Sequence, residues 1–243
     1  MNAVVAQLTA RALLGRRRAY LLMALPGILL LLSVLIRGLA GQDDDITVGL
    51  LGGFALATLV PLLGLIAGTG AIGPEIDDGS IVYLLAKPLN RHSIVTTKAA
   101  VAAAVVTVFG AIPVFLAGLI LSGTSDGLAF GYALGALVAG LGYSTLFLLL
   151  AVVTRHAVVV GLLYALVWES LVGNFVPGAQ SLSVLQWALA ITEKVVGSSE
   201  GPLVGVGSAV SFGTGVTLLT IVVVACTWYA GSRLRRLRLT GSD

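Results

Sequence analysis

Apolar and polar positions in this chain fall into long blocks, not the short alternation of a soluble fold. Val4, Val5, Leu8 and Ala12 recur at helical spacing, with Gln7 and Arg11 off that stripe and Arg16-Arg17-Arg18 directly after. Residues 1–18 therefore predict an amphipathic helix in the plane of a membrane interface, its arginines on anionic headgroups. A frayed polar tail is the alternative. Six apolar runs follow: Ala19–Ile36, Val48–Ala71, Ala99–Leu121, Leu128–Val153, Ala157–Val172 and Val204–Ala230. Each comes near the ~20 residues that a helix needs to cross a bilayer. Arg37 to Thr47, with Asp43-Asp44-Asp45, predicts the first outer loop; Ser122–Gly127 predicts a tight turn, and Thr154-Arg155-His156 an inner turn.

The organising stretch is Gly73–Lys98, which carries six charged residues between two strongly apolar runs. Its acidic half (Glu75, Asp77, Asp78) leads to Gly79-Ser80, and Ser80 can cap a short helix over Ile81–Ala86. Pro88 ends that helix by disfavouring helical geometry at Lys87. Ile81, Leu84 and Leu85 then share one face, with Tyr83 beside them. Asn90 can cap the next helix, which passes Arg91 and Ile94 into the third apolar run. The segment reads as a docking element at the membrane surface.

A second interruption, Gly173–Leu203, opens through Asn174, Phe175 and the Pro177-Gly178 turn. It continues into SLSVLQWALAITEKVV, where Ser181 or Ser183 can cap a helix through about Val195. That helix is too short to span and too apolar for a water-exposed loop, so it reads as a re-entrant or interfacial lid at the outer mouth. Glu169 lies just before it, beside Trp168 and towards the outer end of the fifth run. An intramembrane carboxylate marks a functional site by default; a headgroup-depth Glu beside a belt Trp is the plain alternative.

Composition fixes the class. Hydrophobic residues make up 58% of the 243, charged residues 10%, and mean hydropathy is +1.05. A soluble domain usually carries about 25% charged residues, so this is an all-α integral membrane protein of one domain over residues 1–243. The placement of Lys and Arg orients it. With both termini cytoplasmic, twelve of the 14 lie inside, leaving only Arg37 and Lys194 outside. Residues 72–98 then face the cytoplasm, and residues 173–203 the outside.

Nucleotide-binding and zinc-protease motifs are missing. None of Lys87, Lys98 and Lys194 follows a Gly, so no Walker A loop exists, and HExxH does not occur. Two His and the single Cys226 make neither a zinc site nor a disulfide framework. No cofactor is expected in this chain. Small residues recur every four positions at Gly127, Gly131, Gly135 and Ala139, and again at Gly64/Gly68 and Gly49/Gly53. Such faces let helices approach closely, within one chain or between subunits.

Taken together, the basic amphipathic start, six spans and split outer segment resemble the ABC type-2 permeases, the membrane subunits of ATP-binding cassette transporters. The inner-loop pattern of that family is met in order by Glu75, Asp77, Gly79-Ser80, Leu84-Leu85, Pro88, Arg91, Ile94 and Lys98. It departs at Ile76, where a basic residue is common, and at Ser80 in place of Thr. Trp168-Glu169 with Pro177-Gly178 and Leu182-Ser183 resembles a subset of the family. The resemblance implies a multi-pass permease of the plasma membrane, and export as the direction of transport. It implies a dimer, with two copies of a separate ABC ATPase subunit that bind the ATP and Mg and dock on the 72–98 segment. A membrane scaffold or sensor, and a self-contained carrier or channel, are the alternatives.

Overall fold

The computed structural model describes residues 3–80, 90–123, 127–172, 178–200 and 207–236, and no strand occurs among them. The expected all-helical architecture is present. Helix α1 is Ala3–Leu13 and α2 is Arg16–Ala40. Helix α3 runs Asp44–Asp77 and α4 Arg91–Ser122; both include wider π-wound stretches, at Gly49–Leu59 and Thr107–Ala111. Helix α5 is Leu128–Val153, and α6 (157–172) joins Ala157–Leu163 to a π-wound Tyr164–Val172. Helix α7 is Val184–Glu200, after a 3₁₀ turn at Ala179–Leu182, and α8 is Phe212–Arg236.

Five helices among the described residues are long and apolar enough to cross a membrane: Ala19–Ala40, Asp44–Asp77, Arg91–Ser122, Leu128–Val153 and Phe212–Leu234. The fifth apolar run is a shorter helix, Ala157–Glu169. The protein is a multi-pass membrane protein.

Several boundaries differ from the sequence expectation. The first loop shrinks to residues 41–43, because the Asp43 carboxylate accepts from the backbone N–H of Asp45 (3.0 Å) and Ile46 (3.1 Å) and starts α3 there. At its far end α3 runs six residues past Ala71, through Pro74, to Asp77. Gly79 then ends it in the left-handed conformation (φ +68°), its N–H bonded to the Ile76 carbonyl at 3.2 Å. Ser80 donates back to the Glu75 carbonyl at 3.5 Å. Asn90 caps α4 as expected, accepting from His92 N at 3.1 Å, so the helix starts eight residues before Ala99. Ser183 caps α7, accepting from Gln186 N at 3.3 Å, but the helix continues to Glu200.

The last helix starts at Phe212, not Val204. Side chains of α7 hold the preceding residues outside the helix: Gln186 Oε1 accepts from Ala209 N (3.0 Å) and Glu193 Oε2 from Ser208 N (3.0 Å). The buried stripe of α1 is Val5, Thr9 and Leu13 at four-residue spacing, while Val4, Leu8 and Ala12 of the expected stripe are exposed. The reason is packing, since α1 lies against α3 and α4.

Helix α5 is the hub, touching α3, α4, α6, α7 and α8. Its approach to α3 depends on glycine. A Cβ at Gly64 would lie 2.6 Å from Tyr143 Cβ, and one at Gly68 2.6 Å from the Ser144 carbonyl oxygen. On another face, Gly131 and Gly135 pack on Thr192 and Val196 of α7. The Gly64/Gly68 and Gly131/Gly135 spacings thus serve packing within the chain, whereas Gly49 and Gly53 face open space.

Candidate functional site

Two polar constellations stand out in this apolar bundle. The first lies at the end of the bundle where α1, the C-termini of α3, α5 and α8, and the N-terminus of α4 come together. Lys98, on the second turn of α4, is 1% exposed, and its ammonium donates to Glu75 Oε1 at 2.6 Å and to the Ala71 carbonyl at 2.7 Å. Thr9 Oγ1 of α1 lies 3.5 Å from the same nitrogen. One cation therefore binds α1, α3 and α4 together. The Glu75 side chain is 30% exposed, and its second oxygen, Oε2, is buried with no partner among the described residues. The sequence placed Lys98 among the inner basic residues and gave it no partner; the one signal for the pair was two opposite charges bordering facing apolar runs.

The other residues of the expected docking segment divide at residue 80. Asp77 and Asp78 are exposed on the last turn and cap of α3, followed by exposed Gly79 and Ser80. Asp77 lines a cavity of about 640 Å³ with Ile76, Arg155 of the α5–α6 turn and Arg233 of α8. Ile81, Tyr83, Leu84, Leu85 and Pro88 lie outside the described residues. Beyond them, the Arg91 guanidinium donates to the Leu234 carbonyl of α8 at 2.7 Å. His92 sits against Gly231 so closely that a side chain there would collide with its ring. The segment is thus anchored at its start through Glu75 to α1 and α4, and at its finish through Arg91 to α8.

The second constellation surrounds Glu169, which is 1% exposed. Its Oε1 accepts from Tyr164 Oη (3.0 Å) and Val184 N (3.0 Å). Its Oε2 accepts from Ser183 Oγ and from Leu185 N (3.4 Å). The carboxylate thus sits on the first turn of α7, where orphan amides and the helix dipole favour negative charge. Its depth corrects the expectation of an outer-end position. Val184 packs on Gly142, fourteen residues into the 26-residue α5, while Val196 packs on Gly131 near the start of α5. Helix α7 accordingly begins near the middle of the bundle and runs back antiparallel to α5, taking the Glu169 site with it.

Aromatic rings line that site. Tyr143 stacks on Phe147 (centroids 5.9 Å apart) and Phe147 meets Tyr164 edge-on at 6.1 Å. Trp168 is half-buried, and its indole N–H has no partner among the described residues. Tyr164 and the α7 amides were not singled out in the sequence, and Ser183 was read there only as a helix cap, since nothing in their spacing from Glu169 marks a contact. Asn174, Phe175 and Pro177 lie outside the described residues. Among the described residues, no group of three or more His, Cys, Asp or Glu could hold a metal ion.

No curated protein matches the chain closely enough to count as a relative. Residues 3–229 match the family model described as ABC-2 family transporter protein. Nearly the whole chain is covered, including both polar constellations, and the helices long enough to span a membrane agree with it. The chain belongs to the ABC-2 transporter family, the membrane-embedded permeases of ABC transporters.

Proposed function

We propose that this chain is the non-catalytic membrane subunit of an ATP-driven exporter, working as a dimer with two copies of a separate ABC ATPase subunit. ATP and Mg belong to that partner. The supporting observation is the anchoring of the segment between Glu75 and Arg91. Its two flanks are tied to α1, α4 and α8 through Lys98 and through the Leu234 carbonyl. A push on residues 81–86 would reach three helices at once, which a force-receiving element needs and a passive loop does not.

In this reading the end bearing Arg11, Arg91, Arg155 and Arg233 faces the cytoplasm of a plasma-membrane protein, in keeping with the excess of Lys and Arg there. Both termini are cytoplasmic. The fifth apolar run completes six crossings together with the chain that follows it, and α7 is a re-entrant helix behind the outer mouth. Such broken backbone is tolerated at membrane depth only where protein or a water-lined cavity satisfies it, and Glu169 does so for the amides of Val184 and Leu185.

Substituting Ile81→Asp or Leu84→Asp tests the docking role. Each should abolish transport and co-purification of the ATPase while the chain still inserts into membranes. Normal co-purification from both variants would refute it.

A further inference from the structure

The first turn of α7 raises a question of its own. Four donors (Tyr164 Oη, Ser183 Oγ and the amides of Val184 and Leu185) converge on one carboxylate in the middle of an apolar bundle. No Lys or Arg makes an ion pair with Glu169 among the described residues, so its charge is balanced by dipoles alone. A fifth donor, Tyr143 Oη, is fully buried beside Glu169 and the Leu185 amide, yet has no partner within hydrogen-bond distance among the described residues. A carboxylate that only pinned two helices together would not require an unsatisfied hydroxyl at its side, and buried polar groups are seldom left so. The donor set is larger than this carboxylate uses. It suits an anion with more oxygens.

The attachment of Glu169 is also weak on its own helix. Among the described side chains of α6, only Ala157, Gly161, Ala165 and Glu169 are buried, one every four residues, whereas Val158, Val159, Leu163 and Leu166 are more than half exposed. A helix held along so narrow a line of small residues can shift without breaking a core, and any shift withdraws Glu169 from α7.

We propose that the N-terminus of α7 is an anion-recognition site which Glu169 fills as an internal ligand. The transported molecule is then an amphiphile bearing a phosphate or carboxylate, which takes the place of the Glu169 side chain on Ser183 Oγ, the Val184 and Leu185 amides and Tyr143 Oη. Half-helix N-termini at the bilayer midplane hold anionic substrate groups in other transporters by the same physics. This substrate class rests on the permease reading above; the anion site itself does not.

The test uses the full chain alone in zwitterionic nanodiscs, with Trp228→Phe leaving Trp168 and Trp187 as reporters beside the site. Dodecyl phosphate, dodecyltrimethylammonium and inorganic phosphate are titrated in turn. Dodecyl phosphate should bind saturably and the cationic amphiphile should not. Glu169→Gln, which keeps an acceptor but removes the competing charge, should tighten dodecyl phosphate by about tenfold or more, the order of one charge-assisted hydrogen bond. Tyr143→Phe should weaken it several-fold yet melt no lower than the parent, because no hydrogen bond of the resting fold is lost. Equal binding of the two amphiphiles, or unchanged affinity in Glu169→Gln, overturns the site. Inorganic phosphate binding as well as dodecyl phosphate overturns the amphiphilic cargo. Since no ATPase is present, normal ATPase co-purification from the Ile81→Asp and Leu84→Asp variants, which would refute the docking role, leaves these results standing, and the reverse holds too.

Discussion

Lys98 Nζ lies 2.6 Å from Glu75 Oε1, and the two residues come from different helices 23 positions apart. The ammonium is almost fully buried; the Glu75 side chain is 30% exposed, although its Oε2 is buried. Burying such a pair is costly, and the Ala71 carbonyl offsets part of the cost by taking a second ammonium proton. What the arrangement secures is position: the end of α3, the start of α4 and helix α1 move as one piece.

Breaking that pair from the Lys side should be the more damaging change. Lys98→Met strands a carboxylate beside apolar side chains and should destabilise the chain by about 3 kcal/mol, the lower end for a broken buried pair, since Glu75 is partly solvated. Glu75→Gln keeps an acceptor for Lys98 and should cost less. Lys98→Met combined with Glu75→Leu should recover most of the loss. Thermal melts of the purified variants separate the three.

The seam between α3 and α5 gives a packing test. Gly68→Ala places a Cβ 2.6 Å from the Ser144 carbonyl oxygen and 2.9 Å from Phe147 Cβ, and neither is the end of a flexible side chain. It should cost about 1–3 kcal/mol, as overpacking does. Gly53→Ala meets nothing within 4 Å and should leave the melting temperature unchanged or slightly raised.

At the other flank of the docking segment, Arg91→Ala removes the hydrogen bond to the Leu234 carbonyl. It should weaken coupling more than folding. Co-reconstituted with its ATPase, the variant should show ATP hydrolysis that no longer responds to substrate, with a melting temperature within a few degrees of the parent. Gly231→Val, which displaces His92, should reproduce that uncoupling.

How far the sequence could be read depends on whether the deciding contact was local. Helix α5 occupies the expected residues Leu128–Val153, because Gly127 and the Thr154 turn bound it on both sides. Asn90 and Ser183 cap as expected, since capping reaches only two or three residues ahead. The pairing of Lys98 was not legible because its partners sit on α1 and α3, far from it in sequence, and counting positive charges says nothing of burial. The depth of Glu169 was misjudged because a run of apolar residues gives no sign that the first turn of α7 lies against the middle of α5. The start of α8 failed for a similar reason, as Gln186 and Glu193 hold residues that are themselves apolar or small.

The central claim is that a separate ATP-hydrolysing subunit delivers force to the end of the bundle where α3 stops. A photo-crosslinking amino acid at exposed Ser80, irradiated in native membranes, addresses it directly, with Asp44 at the other end of α3 as the control. The expected result is a covalent adduct between the Ser80 position and an ATPase subunit, with none from Asp44. Transport-competent membranes that yield no such adduct from Ser80, or yield it from Asp44, would contradict the claim.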